Sequence, residues 1–254
     1  MSSDLFMQIG KKIISLDSVD STNNFAANLI KEGRAIHGQV ILAEEQTNGR
    51  GQRGANWYSG GGLNLLMSVI LLQDNMSAKD QFDLIIVSSL AVSDLLNDLN
   101  IPSKIKWPND IYVDDQKICG MLIENQVKNG TISSTVLGIG LNVNQIDFEG
   151  LEAISIRQVN GEFSSMKEIA VSLCSRIENR IDEYSRLGIE NLRKQYLSRL
   201  YQIDEWCLYQ ENSEPFEGKI IGIDAQGYLL IENRSGEATP YDLKEVKFLK
   251  RNTL

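Results

Sequence analysis

The chain has 254 residues, enough for one large domain or a large domain with a small one. Hydrophobic residues make up 42% and charged residues 23%, the balance of a globular protein with a full core and not of a disordered or fibrous one. Its 34 acidic residues outweigh 25 basic ones, and a net charge of -9 argues against nucleic acid as the main partner.

Met1-Ser2-Ser3-Asp4 has no basic region followed by an apolar stretch, so no secretory leader is expected. The longest apolar stretch, Leu84 to Val92, is too short to cross a bilayer, so no membrane association and a cytoplasmic location are expected. Cys119, Cys174 and Cys207 are odd in number and far apart, which fits structural thiols in a reducing compartment. With three scattered cysteines and His37 as the single histidine, no zinc centre is expected, and His37 before Gly38 reads as structural.

Ile13-Ile14-Ser15-Leu16 reads as a strand, and Asp20-Ser21-Thr22-Asn23 offers N-caps for a helix that Gly33 ends. Strands are expected at Gln39 to Ala43 and Leu65 to Leu72, on either side of a glycine-rich stretch. Ser77 should cap a helix over about 79–99, apolar nearly all round in its first half and therefore deeply buried. Ile118 to Ile123 and Ile132 to Leu141 read as central strands joined by an Asn129-Gly130 hairpin turn. Residues 142–164 read as loop. A long amphipathic helix then runs from Met166 to Tyr184, and a second follows Gly188. After Tyr201 the pattern becomes short strands at Trp206 to Tyr209, Gly218 to Ile223, Tyr228 to Ile231 and Val246 to Leu249, a small β-barrel module with a boundary near Leu200.

Between Gly49 and Gly62 lie six glycines, with Arg50, Arg53 and Trp57 among them. Glycine clusters where backbone must approach a ligand closely or where a loop must move. Arginine offers a bidentate fork to carboxylate or phosphate, and tryptophan a flat apolar face. Gly49-x-Gly51-x-x-Gly54 matches the dinucleotide fingerprint, but no helix can open directly after it, and a flexible linker would lack Arg and Trp. Three further blocks stand out. Lys106-Trp107-Pro108-Asn109-Asp110 carries a turn into a strand. Lys117 opens an apolar strand with a gap at Gly120. Gly138-Ile139-Gly140-Leu141-Asn142 puts two glycines in a β-run beside an amide. Each alone has a bland reading as a turn, a solvated lysine or a packing gap.

Together, in this order, Gly-Arg-Gly-x-Arg-Gly-x-x-Trp, Lys-Trp-Pro-Asn-Asp, Lys-x-x-Gly-x-Leu-Ile-Glu and Gly-Ile-Gly-x-Asn-Val-Asn resemble the biotin–protein ligase family, from about residue 13 to the C-terminus. Asp20-Ser21-Thr22-Asn23 and Ala43-Glu44-Glu45-Gln46-Thr47 match it too. The resemblance implies an α+β catalytic domain over 1–200, related to class II aminoacyl-tRNA synthetases, with a mixed sheet and flanking helices. An SH3-like barrel would follow over 201–254. Many members carry an N-terminal DNA-binding winged helix; here the catalytic motifs begin at once, so a short form is expected.

The implied chemistry joins biotin and ATP into biotinyl-5′-AMP with Mg²⁺, then passes biotin to a lysine of a biotin carboxyl carrier protein. By resemblance, Ser21, Thr22, Asn23 and Gln46 bind the ureido end of biotin. Gly49, Arg50, Gly51 and Gln52 line its tail and carboxylate, beside Gly120. Lys117 bridges carboxylate and α-phosphate, and Lys117, Arg50 and Asp110 form the catalytic set, with Asp110 near the acceptor lysine or the metal. Arg53, Trp57, Asn64, Asn109 and Asn142 join Lys117 around ATP, with Trp57 packed on the adenine. Ser21 and Thr22 would also cap their helix. The chain departs from the family at Gln52 and Ala55, where arginine is frequent, which bears on how firmly the adenylate is held. A lipoate–protein ligase shares the fold and the two-step logic, and a non-enzymatic biotin-sensing regulator is the reading of another class. Whether the chain is a monomer or a homodimer is open from sequence.

Overall fold

Alternation of apolar side chains along the strands decides which helix covers which sheet face. The computed structural model describes residues 9–54 and 57–249, except the side chains of Arg53, Asp74 and Asn75. Seven strands, β1 (Ile13–Val19), β2 (Val40–Gln46), β3 (Leu65–Ser77), β4 (Lys104–Lys106), β5 (Asp110–Val113), β6 (Gln116–Lys128) and β7 (Thr131–Leu141), pair in the order β1-β2-β3-β7-β6-β5-β4. β1 and β2 run parallel, and every other neighbour pair is antiparallel. On one face Ile41, Ile70 and Val136 pack with Ala26 and Leu29 of α1 (Thr22–Lys31). On the other, Val40, Val69 and Leu137 join the larger core. There they meet Leu90 of α2 (Gln81–Asp98), Ile177 of α4 (Met166–Leu187) and Tyr196 of α5 (Ile189–Ser198). As its sequence implies, α2 is buried almost without interruption from Phe82 to Leu96. Ser77 caps the short 3-10 turn before it, accepting from the Lys79 N–H at 3.3 Å.

The β6–β7 hairpin turns at Asn129 (φ 53°) and Gly130 (φ 79°), two successive left-handed residues of the kind this tight turn demands. His37 is held against the β3 backbone, its Nδ1 2.7 Å from Leu72 O and 3.0 Å from Leu72 N. The stretch 142–164 is not all loop: α3 (Ile156–Asn160) forms there, held by a reciprocal capping box between Ser155 and Gln158.

The C-terminal part has one strand more than expected. β8 (Trp206–Glu211), β9 (Glu214–Ile223), β10 (Leu229–Glu232), β11 (Ala238–Tyr241) and β12 (Val246–Phe248) form an antiparallel sheet in the order β11-β10-β9-β8-β12. β11 carries Pro240 and sits at the edge, where a missing N–H is tolerated. The two sheets are tied together by the Trp107 Nε1 hydrogen bond to Gly227 O, 2.9 Å. Gly227 is required there, because a Cβ would lie 2.1 Å from the Phe82 ring. The open edge of β4 is covered by the segment leaving α5: Ile105 donates to Arg199 O at 2.8 Å and Tyr201 donates to Ile105 O at 2.9 Å.

α2, α4 and α5 are joined by charge. Arg180 donates to Asp94 through Nε and Nη2 at 2.6 and 2.9 Å, and Arg199 donates to the same carboxylate at 2.8 Å. Burial pushes the Asp94 carboxyl up, but the Arg180 and Arg199 hydrogen bonds outweigh it and hold it below the ordinary range. Asp94→Ala leaves a buried guanidinium short of its partner and should cost about 3–5 kcal/mol in urea unfolding. A loss within about 0.5 kcal/mol, the scale of a surface substitution, would contradict that role.

Candidate active site

Three glycines share one face of the sheet. Gly120 on β6 is paired with Gly140 on β7, and Gly138 lies two residues along, between Ser68 on β3 and Leu122 on β6. Side chains alternate along strands, so all three missing Cβ atoms open on the same side, the side that carries α1. They floor a pocket of about 250 Å³, room for a small molecule.

Much of that space above the floor belongs to the chain itself. A Cβ on Gly138 would lie 2.3 Å from Asn23 Oδ1, and a Cβ on Gly140 would lie 2.4 Å from Trp57 Cε2. At Gly120 a Cβ would meet Lys117 Cε at 2.9 Å and Trp57 Cζ3 at 3.0 Å. The gaps at these glycines, expected to admit a ligand, are occupied by Asn23, Trp57 and the stem of Lys117. The Trp57 indole N–H is buried there without a hydrogen-bond partner among the described residues.

The α1 end of the pocket is lined by Ser21, Thr22, Asn23 and Gln46. All of the first three are buried. Ser21 occupies the N-cap of α1, yet its side chain makes no cap hydrogen bond. Gln46 Oε1 replaces it, accepting from Thr22 N at 2.8 Å and Thr22 Oγ1 at 3.0 Å, so the expected Ser21 cap is corrected. Ser68, unremarked in the sequence, orders the group: its hydroxyl donates to Asn23 Oδ1 at 2.6 Å and lies 2.7 Å from Thr22 Oγ1.

At the other end Lys117 Nζ meets Asp110 Oδ1 at 2.8 Å, with both side chains about one-third exposed. Lys117 Nζ also lies 5.7 Å from the centre of the Trp57 ring. Lys106 stands beside them, donating to Tyr112 Oη at 3.1 Å and lying over the Tyr112 and Phe248 rings. Burial lowers the Lys106 ammonium below its ordinary range, Asp110 pulling the other way and Lys117 reinforcing the drop. Leu243, from the C-terminal segment, closes part of the wall and has no signal in the sequence. Burial pushes the Cys119 thiol far up, so this cysteine beside Gly120 is no nucleophile.

The other expected residues divide between the pocket lining and the structure around it. Arg50, expected at the carboxylate with Lys117, lines the pocket but is paired at 3.1 Å with Glu124, the far end of β6 from Lys117. Gly51 and Gln52 line the pocket; Gly49 does not, and instead accepts the Trp57 N–H at 3.0 Å, closing the base of the loop. Asn109 lines the pocket while its amide donates to Met121 O at 2.8 Å. Asn64 and Asn142 stand behind the wall. Asn64 donates to Gln145 Oε1 at 2.6 Å, and Asn142 donates to Lys117 O at 3.2 Å and Ile154 O at 3.1 Å. Their amides brace the strands that hold the site. The Arg53 side chain and Ala55 lie outside the described residues.

The glycine floor gives a direct test of where Trp57 sits. Gly140→Ala should expel the indole, so acrylamide quenching of tryptophan emission should rise, and the rise should vanish in a Trp57→Phe background. Unchanged quenching would mean that Trp57 does not occupy the slot.

A family model for the biotin/lipoate A/B protein ligase family matches residues 15–142. The bifunctional ligase/repressor BirA of Bacillus subtilis is 30% identical over 233 residues, covering 90% of this chain and 71% of that protein. The biotin--[acetyl-CoA-carboxylase] ligase of Mycobacterium tuberculosis is 31% identical over 226 residues, covering 85% and 83%. Among solved structures, biotin protein ligase from Aquifex aeolicus in complex with biotin and ATP aligns with a TM-score of 0.76 at 26% identity, over 95% of this chain and 100% of that one. With the family model spanning the glycine floor, the α1 end and Lys117, the protein belongs to the biotin/lipoate A/B protein ligase family.

Proposed function

We propose that the chain is an ATP-dependent biotin–protein ligase. It makes biotinyl-5′-AMP and transfers biotin to a lysine of a biotin carboxyl carrier domain. The observation that carries this reading is one pocket with a neutral polar end, Ser21, Thr22, Asn23 and Gln46, and a charged end, Lys117 with Asp110. Biotin has the matching halves, a neutral ureido head and a carboxylate tail. The buried polar groups of the α1 end disfavour lipoate, whose dithiolane offers them no hydrogen-bond partner.

In the first step a carboxylate oxygen of biotin attacks the α-phosphorus of ATP, and pyrophosphate leaves. Two anions must meet, so a cation between them lowers the barrier. Lys117 serves here by leaving Asp110 for the carboxylate and the α-phosphate. Trp57, flat beside Lys117, packs on the adenine and screens the mixed anhydride from water. Arg53 adds charge at the phosphates, and Asn109 lies against the nucleotide. Asp110 is the carboxylate that would hold Mg²⁺, with phosphate oxygens and water completing its shell. The described residues contain no group of three or more His, Cys, Asp or Glu side chains that could hold a metal ion. Bound there, Mg²⁺ supplies positive charge to the polyphosphate. In the second step the carrier lysine amine attacks the acyl carbon, an amide bond forms and AMP leaves. Residues 1–200 carry this chemistry, and 201–254 form the C-terminal module whose Leu243 closes the pocket.

Incubation with Mg-ATP and either acid, followed by mass spectrometry, should give the acyl-adenylate with biotin and not with lipoate. A lipoyl adenylate alone would transfer the assignment to lipoate, and neither product would overturn it. Lys117→Ala should slow adenylate formation about a hundredfold or more, equivalent to about 2.7 kcal/mol or more, at unchanged thermal stability. Near-normal rates in this variant would remove Lys117 from the chemistry.

A further inference from the structure

The block that starts at Lys117 ends at Glu124, a carboxylate to which the reaction assigns no part. Glu124 is on the floor face of β6, opposite Val136 and four residues beyond Gly120. At about 3.3 Å of rise per residue, its Cα lies about 23 Å along the strand from that of Lys117. It therefore belongs to the end of the pocket remote from the charged chemistry.

Two side chains converge on it. Arg50 Nη2 lies 3.1 Å from both carboxylate oxygens, and Asn23 Nδ2 donates to Oε2 at 2.7 Å. The same Arg50 nitrogen donates to Asn24 Oδ1 at 2.7 Å, and Asn24 donates onward to Asp20 at 2.5 Å. The Asn24 hydrogen bond holds the Asp20 carboxyl below its ordinary range, with a smaller contribution from Arg50, so Arg50 faces two carboxylates, Glu124 and Asp20, at this end of the pocket. Arg50 and Asn23 line the pocket, whereas Glu124 stands just outside it. The Arg50 and Glu124 side chains are 39% and 38% exposed, and an ion pair so open to solvent adds little to folding stability. What the pair does fix is the placement of two pocket-lining groups, an arginine from the glycine-rich loop and a carboxamide from α1.

We propose that Glu124 is a positioning residue for the head of the acid substrate. It holds Arg50 and orients the Asn23 carboxamide, so that the remote end of the pocket presents fixed, already paired hydrogen-bonding groups to a neutral, hydrogen-bonding head group. A cationic head would face Arg50, and an anionic head would face Glu124 and Asp20. The inference rests on the ligase reading and assigns Arg50 to acid recognition at the head, away from the acyl phosphate.

The test separates recognition from chemistry. Glu124→Gln keeps an acceptor for Asn23 but removes the charge that holds Arg50. In adenylate formation from biotin and Mg-ATP, KM for biotin should rise about tenfold, with kcat and KM for ATP within about twofold of the parent. Arg50→Gln, which leaves the carboxylate and Asn23 in place, should give the same split, and the double variant should be no worse than either single one. A fall in kcat at unchanged biotin KM would overturn the proposal, as would fully additive effects of the two substitutions. If Glu124→Gln melts much lower than the parent, Arg50→Gln alone decides, because its guanidinium is not needed to satisfy Asn23. Absence of any adenylate from the parent protein with biotin would instead overturn the ligase reading.

Discussion

A pocket proposed to receive two anions must also be stable with neither present. Here the described cations that line it are already engaged: Lys117 by Asp110, Arg50 by Glu124, and Lys106 by the Tyr112 hydroxyl and two ring faces. Unpaired, these charges would repel one another and face desolvation without compensation. Paired, they are held in place before substrate arrives. The two carboxylates differ in kind. Asp110 opens a short strand beside the proposed nucleotide, where a substrate oxyanion can displace it from Lys117. Glu124 is fixed by Asn23 and sits where a neutral head group gives it no competitor.

The backbone beneath these pairs is shaped by subtraction. Gly120, Gly138 and Gly140 remove three side chains from one face of adjoining strands, and Asn23 and Trp57 descend into the space. The polar wall at the α1 end is likewise shared work: Gln46 takes over the capping of Thr22, which leaves the Ser21 hydroxyl at the pocket instead of folded onto its own helix. The C-terminal sheet takes part through Leu243 at the wall and through the Trp107–Gly227 hydrogen bond beside it. A change that loosens that sheet would thus be felt in the pocket.

Much of this was legible in the residue pattern. The hydrophobic runs at 118–123 and 132–141 with Asn129-Gly130 between them specify a hairpin by local rules, and so it forms. The glycines announced close approach, and the motif order announced the family. Other features were hidden for physical reasons. β11 contains Pro240, which argues against a strand unless its edge position is known. α3 spans only five residues, although Ser155-x-x-Gln158 was a readable capping signal. Asn64 and Asn142 look like ligand-reading amides, but whether an amide faces a pocket or braces a strand depends on tertiary neighbours that spacing does not contain. The resemblance put Arg50 at the carboxylate with Lys117, whereas only the strand geometry reveals that it meets Glu124 further along the strand.

The exchange of Lys117 from Asp110 to substrate is the step on which the proposed chemistry turns. A crystal structure of the protein with biotin and ATP bound examines it most directly. The pairing predicts Lys117 Nζ within hydrogen-bond distance of the ligand carboxylate or α-phosphate, no longer on Asp110, while Arg50 stays on Glu124. Lys117 still paired with Asp110, with the ligand anions held by other cations, would contradict it.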